Sequence, residues 1–157
     1  MSAPSVEELG RVPLFAALDA RALEGLAQRL SVRSFEAGER LFGVGDASQE
    51  ILIVLDGEIE LFRHDGEGRR RRLGRRGPSD WFGEVGLIAI KSRAIEAWSQ
   101  TRARVLVLPA RELLELYRRD MRAYALVTMN LARELARKLE SVEERWVDGR
   151  APLEDLT

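Results

Sequence analysis

The spacing of apolar residues divides the chain into three segments. In residues 1–30 apolar positions recur at helical spacing, with a break at Pro13 and a restart at Asp19, a favourable N-cap. In residues 31–108 short apolar stretches alternate with Gly, Asp and Pro, which is typical of strands and turns. Helical spacing returns in residues 109–147. The pattern predicts N-terminal helices, a central β-rich segment and C-terminal helices.

The apolar stretches of the central segment are short and evenly spaced. They include Leu41–Phe42, Ile51–Leu55, Ile59–Phe62 and Val105–Leu108. Asp56-Gly57 and Asp65-Gly66 predict tight turns. Short strands at this spacing suit a jelly roll, in which an antiparallel sheet folds over on itself. The predicted fold is therefore α+β and mainly β: an antiparallel jelly-roll β-barrel with flanking N-terminal helices and a long C-terminal helix.

The last segment predicts two helices, over Arg111–Arg119 and Arg122–Trp146. The longer helix carries a broad apolar face formed by Tyr124, Val127, Leu131, Leu135, Leu139, Val142 and Trp146. Such a face suits either a seam between two copies in a homodimer or packing on the domain's own core. Residues 148–157 contain few apolar anchors, so we expect this tail to fray.

Composition narrows the classes of function. A chain of 157 residues fits a single domain, residues 1–157, with a proper core. It has no cysteine and one histidine, which excludes disulfides, thiolate metal sites and a histidine-rich metal centre. No nucleophile–base pair is evident, so we do not expect an enzyme. The chain lacks a signal-peptide pattern and a membrane-length apolar run, which predicts a cytoplasmic protein without membrane insertion.

Six arginines form a basic cluster in a chain whose net charge is −1. They are Arg69, Arg70, Arg71, Arg72, Arg75 and Arg76. Such a cluster is either a solvated strand face or a surface that attracts nucleic acid, acidic lipid or an acidic protein. Because no aromatic residues interleave with these arginines for base stacking, the strand face is the favoured interpretation.

Residues 82–94 concentrate the candidate site chemistry. Gly83 allows the backbone to approach an anion, and Glu84–Ile88 predicts one helical turn whose free N–H groups point at it. Arg93 offers a bidentate contact to phosphate oxygens. A carboxylate repels phosphate, so Glu84 is better suited to accept a hydrogen bond from a sugar hydroxyl. These duties describe a nucleotide site, unless Glu84 and Arg93 form a mutual salt bridge that merely closes the loop.

These residues resemble the phosphate-binding cassette of cyclic nucleotide-binding domains, the family of the catabolite activator protein and the regulatory subunits of cyclic-AMP-dependent protein kinase. The family cassette reads Phe-Gly-Glu, then a small residue and Leu, with Arg roughly ten residues after the Glu. Phe82-Gly83-Glu84 and Arg93 match it. The resemblance extends upstream through residues 38–42, 45–46 and 53–61, and covers about residues 10–145.

The resemblance implies a role for each matching residue. Glu84 would hold the ribose 2′-hydroxyl, while Arg93 and the N–H groups around Gly83, Val85 and Ala94 would hold the cyclic phosphate. Ala94 favours cyclic AMP over cyclic GMP, because a hydroxyl at that position commonly accompanies guanine recognition.

The end of the last helix falls near where the family binds the base. Val142 and Trp146 are therefore candidates for a cap on the base, since a flat ring stacks well on a purine. A dimer or core contact is the other interpretation of both residues.

Three departures from the family pattern bear on binding: Ser92, Ile95 and Glu96. Ile95 adds bulk near the phosphate loop, and Glu96 brings a second negative charge unless it points to solvent.

The sequence and the resemblance together leave two functional hypotheses. The first is a stand-alone cyclic nucleotide receptor, cyclic AMP being preferred, that signals by repositioning its C-terminal helix toward an effector protein. The alternative is a degenerate, nucleotide-independent interaction module of the same fold.

The sequence disfavours a role in direct DNA reading. Only about ten residues follow Trp146, too few for a helix-turn-helix. DNA is therefore an unlikely partner, and a DNA-associated role through the arginine cluster is a minor third hypothesis.

Overall fold

The computed structural model describes residues 1–149, which form five α-helices, one 3₁₀ turn and eight strands. The helices are α1 (Val6–Gly10), α2 (Ala20–Arg29), α3 (Glu84–Ile88), α4 (Ala110–Arg119) and α5 (Met121–Val147), and the 3₁₀ turn is Pro13–Phe15. The strands are β1 (Ser31–Phe35), β2 (Arg40–Phe42), β3 (Glu50–Asp56), β4 (Ile59–His64), β5 (Arg70–Arg76), β6 (Trp81–Phe82), β7 (Glu96–Ser99) and β8 (Ala103–Pro109). Residues 150–157, which include most of the tail predicted to fray, lie outside the described part.

The strands form two four-stranded antiparallel sheets that face each other. One sheet has the order β1-β8-β3-β6 and the other β2-β7-β4-β5. Consecutive strands therefore often lie in different sheets, as in a jelly roll. The predicted fold class is confirmed: helices flank a jelly roll, and the long C-terminal helix closes the chain.

β3 shows how the sequence pattern creates two cores. Side chains alternate between the two faces of a strand. Ile51 and Ile53 pack toward the helices, whereas Leu52 and Val54 pack between the two sheets. Both faces of β3 are covered, which explains why its sequence is a continuous apolar run.

The first half of α5 packs on the helical core. Val127 and Leu131 are buried there. The amide nitrogen of Asn130 donates hydrogen bonds to the carbonyl oxygens of Leu14 and Ala16, both at 3.1 Å, and so pins the helix to the N-terminal turn. The apolar face predicted over the whole helix is therefore a core contact in this half.

The second half of α5 leaves the core. Leu139 is 59% exposed and Trp146 is 78% exposed. The homodimer seam predicted on this face stays a prediction, now restricted to the part of the face that the domain does not cover. Within residues 1–149, no helix combines the length and apolar character that a membrane span requires.

Candidate functional site

The cassette begins where β6 ends. Trp81 and Phe82 pair with β3, and Phe82 is buried between the sheets. Gly83 follows with φ of 90° and caps α3, the helical turn predicted at Glu84–Ile88. None of the described side chains caps the N-terminus of α3, so its first-turn N–H groups lack a side-chain acceptor. The glycine and the helical turn lie where the sequence analysis places them, and their role as a backbone anion cradle stays a prediction.

Gly83 is required by close approach as well as by its backbone angle. A Cβ atom at this position would lie 2.4 Å from Nη1 of Arg93 and 3.0 Å from the carbonyl oxygen of Glu50. A left-handed φ is strained for any residue with a side chain. The cassette therefore admits only glycine at this position without rearrangement.

Arg93 lies inside the fold and is only 5% exposed. Its Nη1 donates to the carbonyl of Gly83 at 3.3 Å and its Nη2 to the carbonyl of Glu50 at 3.2 Å. The guanidinium also lies 4.0 Å from the ring centroid of Phe42, within cation–π range. Burial lowers the pKa of Arg93, and the nearby carboxylates of Glu50, Asp46 and Glu84 oppose that shift. Since an arginine keeps its proton in proteins, a positive charge lies beneath the cassette.

Glu84 is also buried, at 4% exposure, and its partner comes from α5. The Oε1 atom of Glu84 accepts a hydrogen bond from Nζ of Lys138 at 3.0 Å, across 54 residues of sequence. The described partner of this carboxylate is therefore Lys138 and not Arg93. A mutual Glu84–Arg93 salt bridge is not what closes the loop.

A polar cleft of about 210 Å³ lies beside this ion pair. It is lined by Pro13, Arg76, Ser79, Asp80, Trp81, Glu134, Arg137 and Lys138. Burial lowers the pKa of Arg76, while Asp80, Glu84 and Glu134 oppose that shift. The cleft thus carries both cations and carboxylates and extends the charged environment of Glu84 onto α5.

The sequence analysis did not identify Lys138 as a site residue. It also grouped Arg76 with the arginine cluster, whereas the structure places Arg76 at the cleft. Lys91 and Lys138 are the only lysines among 25 basic residues. This scarcity is the one sequence signal that sets Lys138 apart.

The remaining predicted site residues on the cassette and on α5 are exposed or half-buried. Val85 is 54% exposed and Ala94 is exposed, so their side chains lie on the outside of the cassette. Trp146 follows Lys138 by about 12 Å along the axis of α5, at 1.5 Å per residue. Val142 is half-buried on the same segment. The structure does not bring Trp146 to Glu84, and the base-cap role of Val142 and Trp146 stays a prediction.

Ile95 and Glu96, two departures from the family pattern that could weaken binding, lie in different parts of the structure. Ile95 packs against the core between the sheets. Glu96 pairs with Arg70 on β5. The guanidinium of Arg70 in turn lies 3.5 Å from the ring centroid of Phe62 and 5.3 Å from that of Trp98. The charge of Glu96 is thus paired on the sheet and does not lie unpartnered beside the cassette.

The arginine cluster is largely neutralised by the chain's own acids. Its ion pairs are Arg69 with Asp65 and Glu67, Arg70 with Glu96, Arg71 with Asp65, Arg72 with Glu60, and Arg75 with Glu58 and Glu60. Such exposed pairs contribute little stability individually. Their effect is to cancel the positive field that nucleic acid would need, which favours the interpretation as a solvated strand face.

Asp65 anchors the turn that begins this cluster and should show an unusual titration. The backbone N–H of Arg69, followed by the side chains of Arg69 and Arg71 and the N–H of Glu67, lowers its pKa from 3.8 to about 2. A lowered pKa in the folded state stabilises the fold above pH 3.8, and this contribution is lost as the pH falls toward 2. We expect a carboxyl-carbon NMR titration of Asp65 to reach its midpoint near 2. A midpoint at the ordinary aspartate value would show that the turn does not hold the carboxylate.

Comparisons with known proteins agree with this geometry. The family described as "Cyclic nucleotide-binding domain" matches residues 32–120. The "Cyclic AMP receptor protein" of Thermus thermophilus is 31% identical over 135 residues, covering 83% of this chain and 59% of that protein. The present chain thus spans about three-fifths of that relative.

Solved structures show the same fold. The crystal structure of the Thermus thermophilus catabolite activator protein superposes with a TM-score of 0.74 at 30% identity, covering 85% of this chain and 61% of the other. The regulatory subunit of a cAMP-independent protein kinase A from Trypanosoma brucei gives a TM-score of 0.70 at 20% identity, covering 82% and 43%, which indicates the fold alone. A family match over more than half of the chain, on a jelly roll with the expected cassette, establishes that this protein belongs to the cyclic nucleotide-binding domain family.

Proposed function

We propose that this chain is a cyclic nucleotide receptor module that prefers cyclic AMP. The observation that carries the proposal is the pair of buried charges at the cassette, with Glu84 4% and Arg93 5% exposed. Burying an ionised group costs free energy unless the group is paired, so a site that keeps two such groups beside an uncapped helical turn is unusual for mere loop closure. The similar Thermus protein is itself named a cyclic AMP receptor.

Each group has a distinct task in this proposal. Arg93 and the N–H groups around Gly83, Val85 and Ala94 hold the cyclic phosphate, because a guanidinium fork and backbone donors both match its oxygens. Glu84 accepts a hydrogen bond from the ribose 2′-hydroxyl, which a carboxylate does without repelling the neutral sugar. Phe82 anchors the cassette in the core between the sheets.

Binding requires the site to open. A side chain that water barely reaches is equally inaccessible to a ligand, so Glu84 and Arg93 must each exchange an internal partner for the nucleotide. Arg93 gives up its hydrogen bonds to the carbonyls of Gly83 and Glu50 for the phosphate, and Glu84 gives up its contact with Lys138 for the ribose hydroxyl. Ligand binding would therefore alter the cassette and α5 together, and the ligand shifts that balance only by its different affinity for the two states.

The proposed output is a repositioned C-terminal helix. The exposed apolar side chains of the second half of α5, among them Leu139 and Trp146, offer a contact for a second copy of the chain or for an effector protein. We propose that a homodimer forms through this segment. A change in its placement would alter what the effector protein contacts.

One observation favours a second candidate, a nucleotide-independent interaction module. Both buried charges already have partners within the chain, although Nε of Arg93 is a buried donor without one, so most of their hydrogen bonds form without a ligand. In this alternative the cassette is a structural element and α5 alone carries the interaction.

Thermal unfolding with added nucleotides separates the two candidates. A ligand that binds only the native state raises its stability by about 2.7 kcal/mol at a concentration one hundred times Kd. For a chain of this size that amounts to a rise in Tm of roughly 5–10 °C. We expect this rise with cyclic AMP, a smaller one with cyclic GMP and none with AMP, which lacks the cyclic phosphate. A folded, ligand-free protein whose Tm ignores all three nucleotides would instead support the nucleotide-independent module.

A further inference from the structure

We propose that Lys138 latches α5 to the closed cassette, and that the sugar hydroxyl of a bound cyclic nucleotide displaces its ammonium group from Glu84. This inference rests on the proposed receptor function. It identifies one side chain as the link between the ligand site and the C-terminal helix.

The ion pair has the properties of a latch. The Glu84 side chain is 5% exposed and that of Lys138 27% exposed, so the 3.0 Å contact joins an interior carboxylate to a partly solvated ammonium. Hydrogen bonds between ionised groups are about twice as strong as neutral ones. Lysine has a flexible stem and three rotatable donors, so its ammonium can leave without moving the backbone far.

The position of Lys138 along α5 makes the contact consequential. Upstream of it, Val127 and Leu131 are buried and Leu135 packs on the same core. Immediately downstream Leu139 is 59% exposed, and Val147 near the helix end is 82% exposed. The ion pair therefore lies at the boundary between the anchored and the exposed parts of the helix. Releasing it lets α5 tilt about its anchored start, where Asn130 bonds to the N-terminal turn.

Competition, rather than sharing of Glu84, follows from the geometry. The cleft is lined by Lys138, whose ammonium contacts Glu84, whereas Glu84 itself is 4% exposed and does not line it. A sugar hydroxyl that enters from the cleft must occupy the volume of the ammonium. The same cleft is lined by Asp80 and Glu134, which offer the released ammonium other carboxylates.

Calorimetric titration with cyclic AMP tests the latch. Removing a contact that holds the closed state raises the apparent affinity, because less of the protein must be opened by the ligand. We expect Lys138→Met to bind cyclic AMP about tenfold more tightly than the wild type. Arg76 and Arg93 remain within electrostatic range of Glu84 in this variant. Arg118→Met is the matched control, since Arg118 pairs with a glutamate three residues earlier on its own helix, Glu115, and does not line the cleft; its affinity should stay at the wild-type value.

The outcomes separate the latch from the receptor function. If the wild type binds and Lys138→Met binds equally or more weakly, the latch is wrong while the receptor function stands. If neither binds any cyclic nucleotide, both proposals fail. Binding by Lys138→Met alone would show that the latch keeps the wild-type site closed. Lys138→Arg, which keeps the charge, should restore affinity close to the wild type.

The position of α5 can also be measured directly, by distances between spin labels, without a binding titration. The chain contains no cysteine, so Ser34→Cys on β1 and Glu143→Cys on α5 give a clean pair of spin-label sites. Without ligand, Lys138→Met should show the interspin distances that the wild type shows with saturating cyclic AMP, whereas Arg118→Met should not. Identical distances in Lys138→Met and the ligand-free wild type would overturn the latch even if that variant folds with altered stability.

Discussion

Replacing Arg93 with methionine is expected to lower the affinity for cyclic AMP by at least about 100-fold while the protein stays folded. The guanidinium would make the charge-assisted contacts to the cyclic phosphate, and each such hydrogen bond contributes about 1.5–3 kcal/mol. Losing two of them corresponds to roughly two or more orders of magnitude in Kd. Methionine retains the length and apolar contact of the stem beside Phe42.

The cost of this substitution in stability should be small. The variant loses hydrogen bonds to the carbonyls of Gly83 and Glu50 at 3.3 and 3.2 Å, but it also removes a buried charge whose desolvation is unfavourable. We expect the free energy of unfolding to fall by about 1–2 kcal/mol. Urea unfolding measures this term, and calorimetry measures binding.

Arg33→Met serves as the matched control. Arg33 forms a bidentate ion pair with Glu50 and so shares the local acid, but its side chain is 39% exposed and it does not contact the cassette glycine. Its loss should leave the affinity for cyclic AMP within about twofold, as is usual for a rim charge away from the ligand. Equal binding by Arg93→Met and the wild type would mean that Arg93 only supports the loop, and the receptor proposal would then lose its phosphate contact.

The second large effect concerns Gly83. Gly83→Ala should lower the free energy of unfolding by about 2–3 kcal/mol and abolish measurable binding of cyclic AMP. Alanine is strained at φ of 90°, and its Cβ would lie 2.4 Å from Nη1 of Arg93. Turning aside would take the Arg93 guanidinium off the carbonyls of Gly83 and Glu50 and off the ring of Phe42. The substitution therefore displaces the phosphate-binding group and the cassette backbone together.

Gly38→Ala is the control that measures backbone strain without displacement of a neighbouring side chain. Gly38 has φ of 84°, close to that of Gly83, but a Cβ there meets nothing within 4 Å. Its cost should be the conformational term alone, about 1 kcal/mol, with unchanged nucleotide affinity. Comparing urea unfolding and calorimetry of the two variants isolates the contribution of close packing at Gly83. Equal losses of stability and equal affinities in both variants would show that the space around Gly83 is not restricted.

Alternation and turn chemistry were sufficient to predict the fold. The continuous apolar run of β3 is divided by strand geometry between two cores, and a jelly roll is the arrangement that covers both of its faces. The short helix at Glu84–Ile88 and the glycine before it also follow from local residue types, because each depends only on near neighbours along the chain.

Contacts between distant segments could not be predicted in this way. Lys138 meets Glu84 across 54 residues, and only the packing of α5 on the helical core sets which of its side chains faces the cassette. The orientation of the Arg93 side chain could not be predicted from the sequence either. Spacing places the residue near an anion cradle, but it does not show that the guanidinium bonds to the carbonyls of Gly83 and Glu50. The resemblance suggests that Val142 and Trp146 cap the base; Trp146 is 78% exposed, and this role stays a prediction.

The pin formed by Asn130 turns α5 into a lever. Its hydrogen bonds to Leu14 and Ala16 fix a fulcrum, with Lys138 about 12 Å and Trp146 about 24 Å further along the axis, at 1.5 Å per residue. A tilt of about 15° around that fulcrum moves Lys138 by about 3 Å, enough to break a hydrogen bond, and Trp146 by about 6 Å. A displacement at the cassette is thus doubled at the far end of the arm, where a large indole ring is presented to whatever the protein meets.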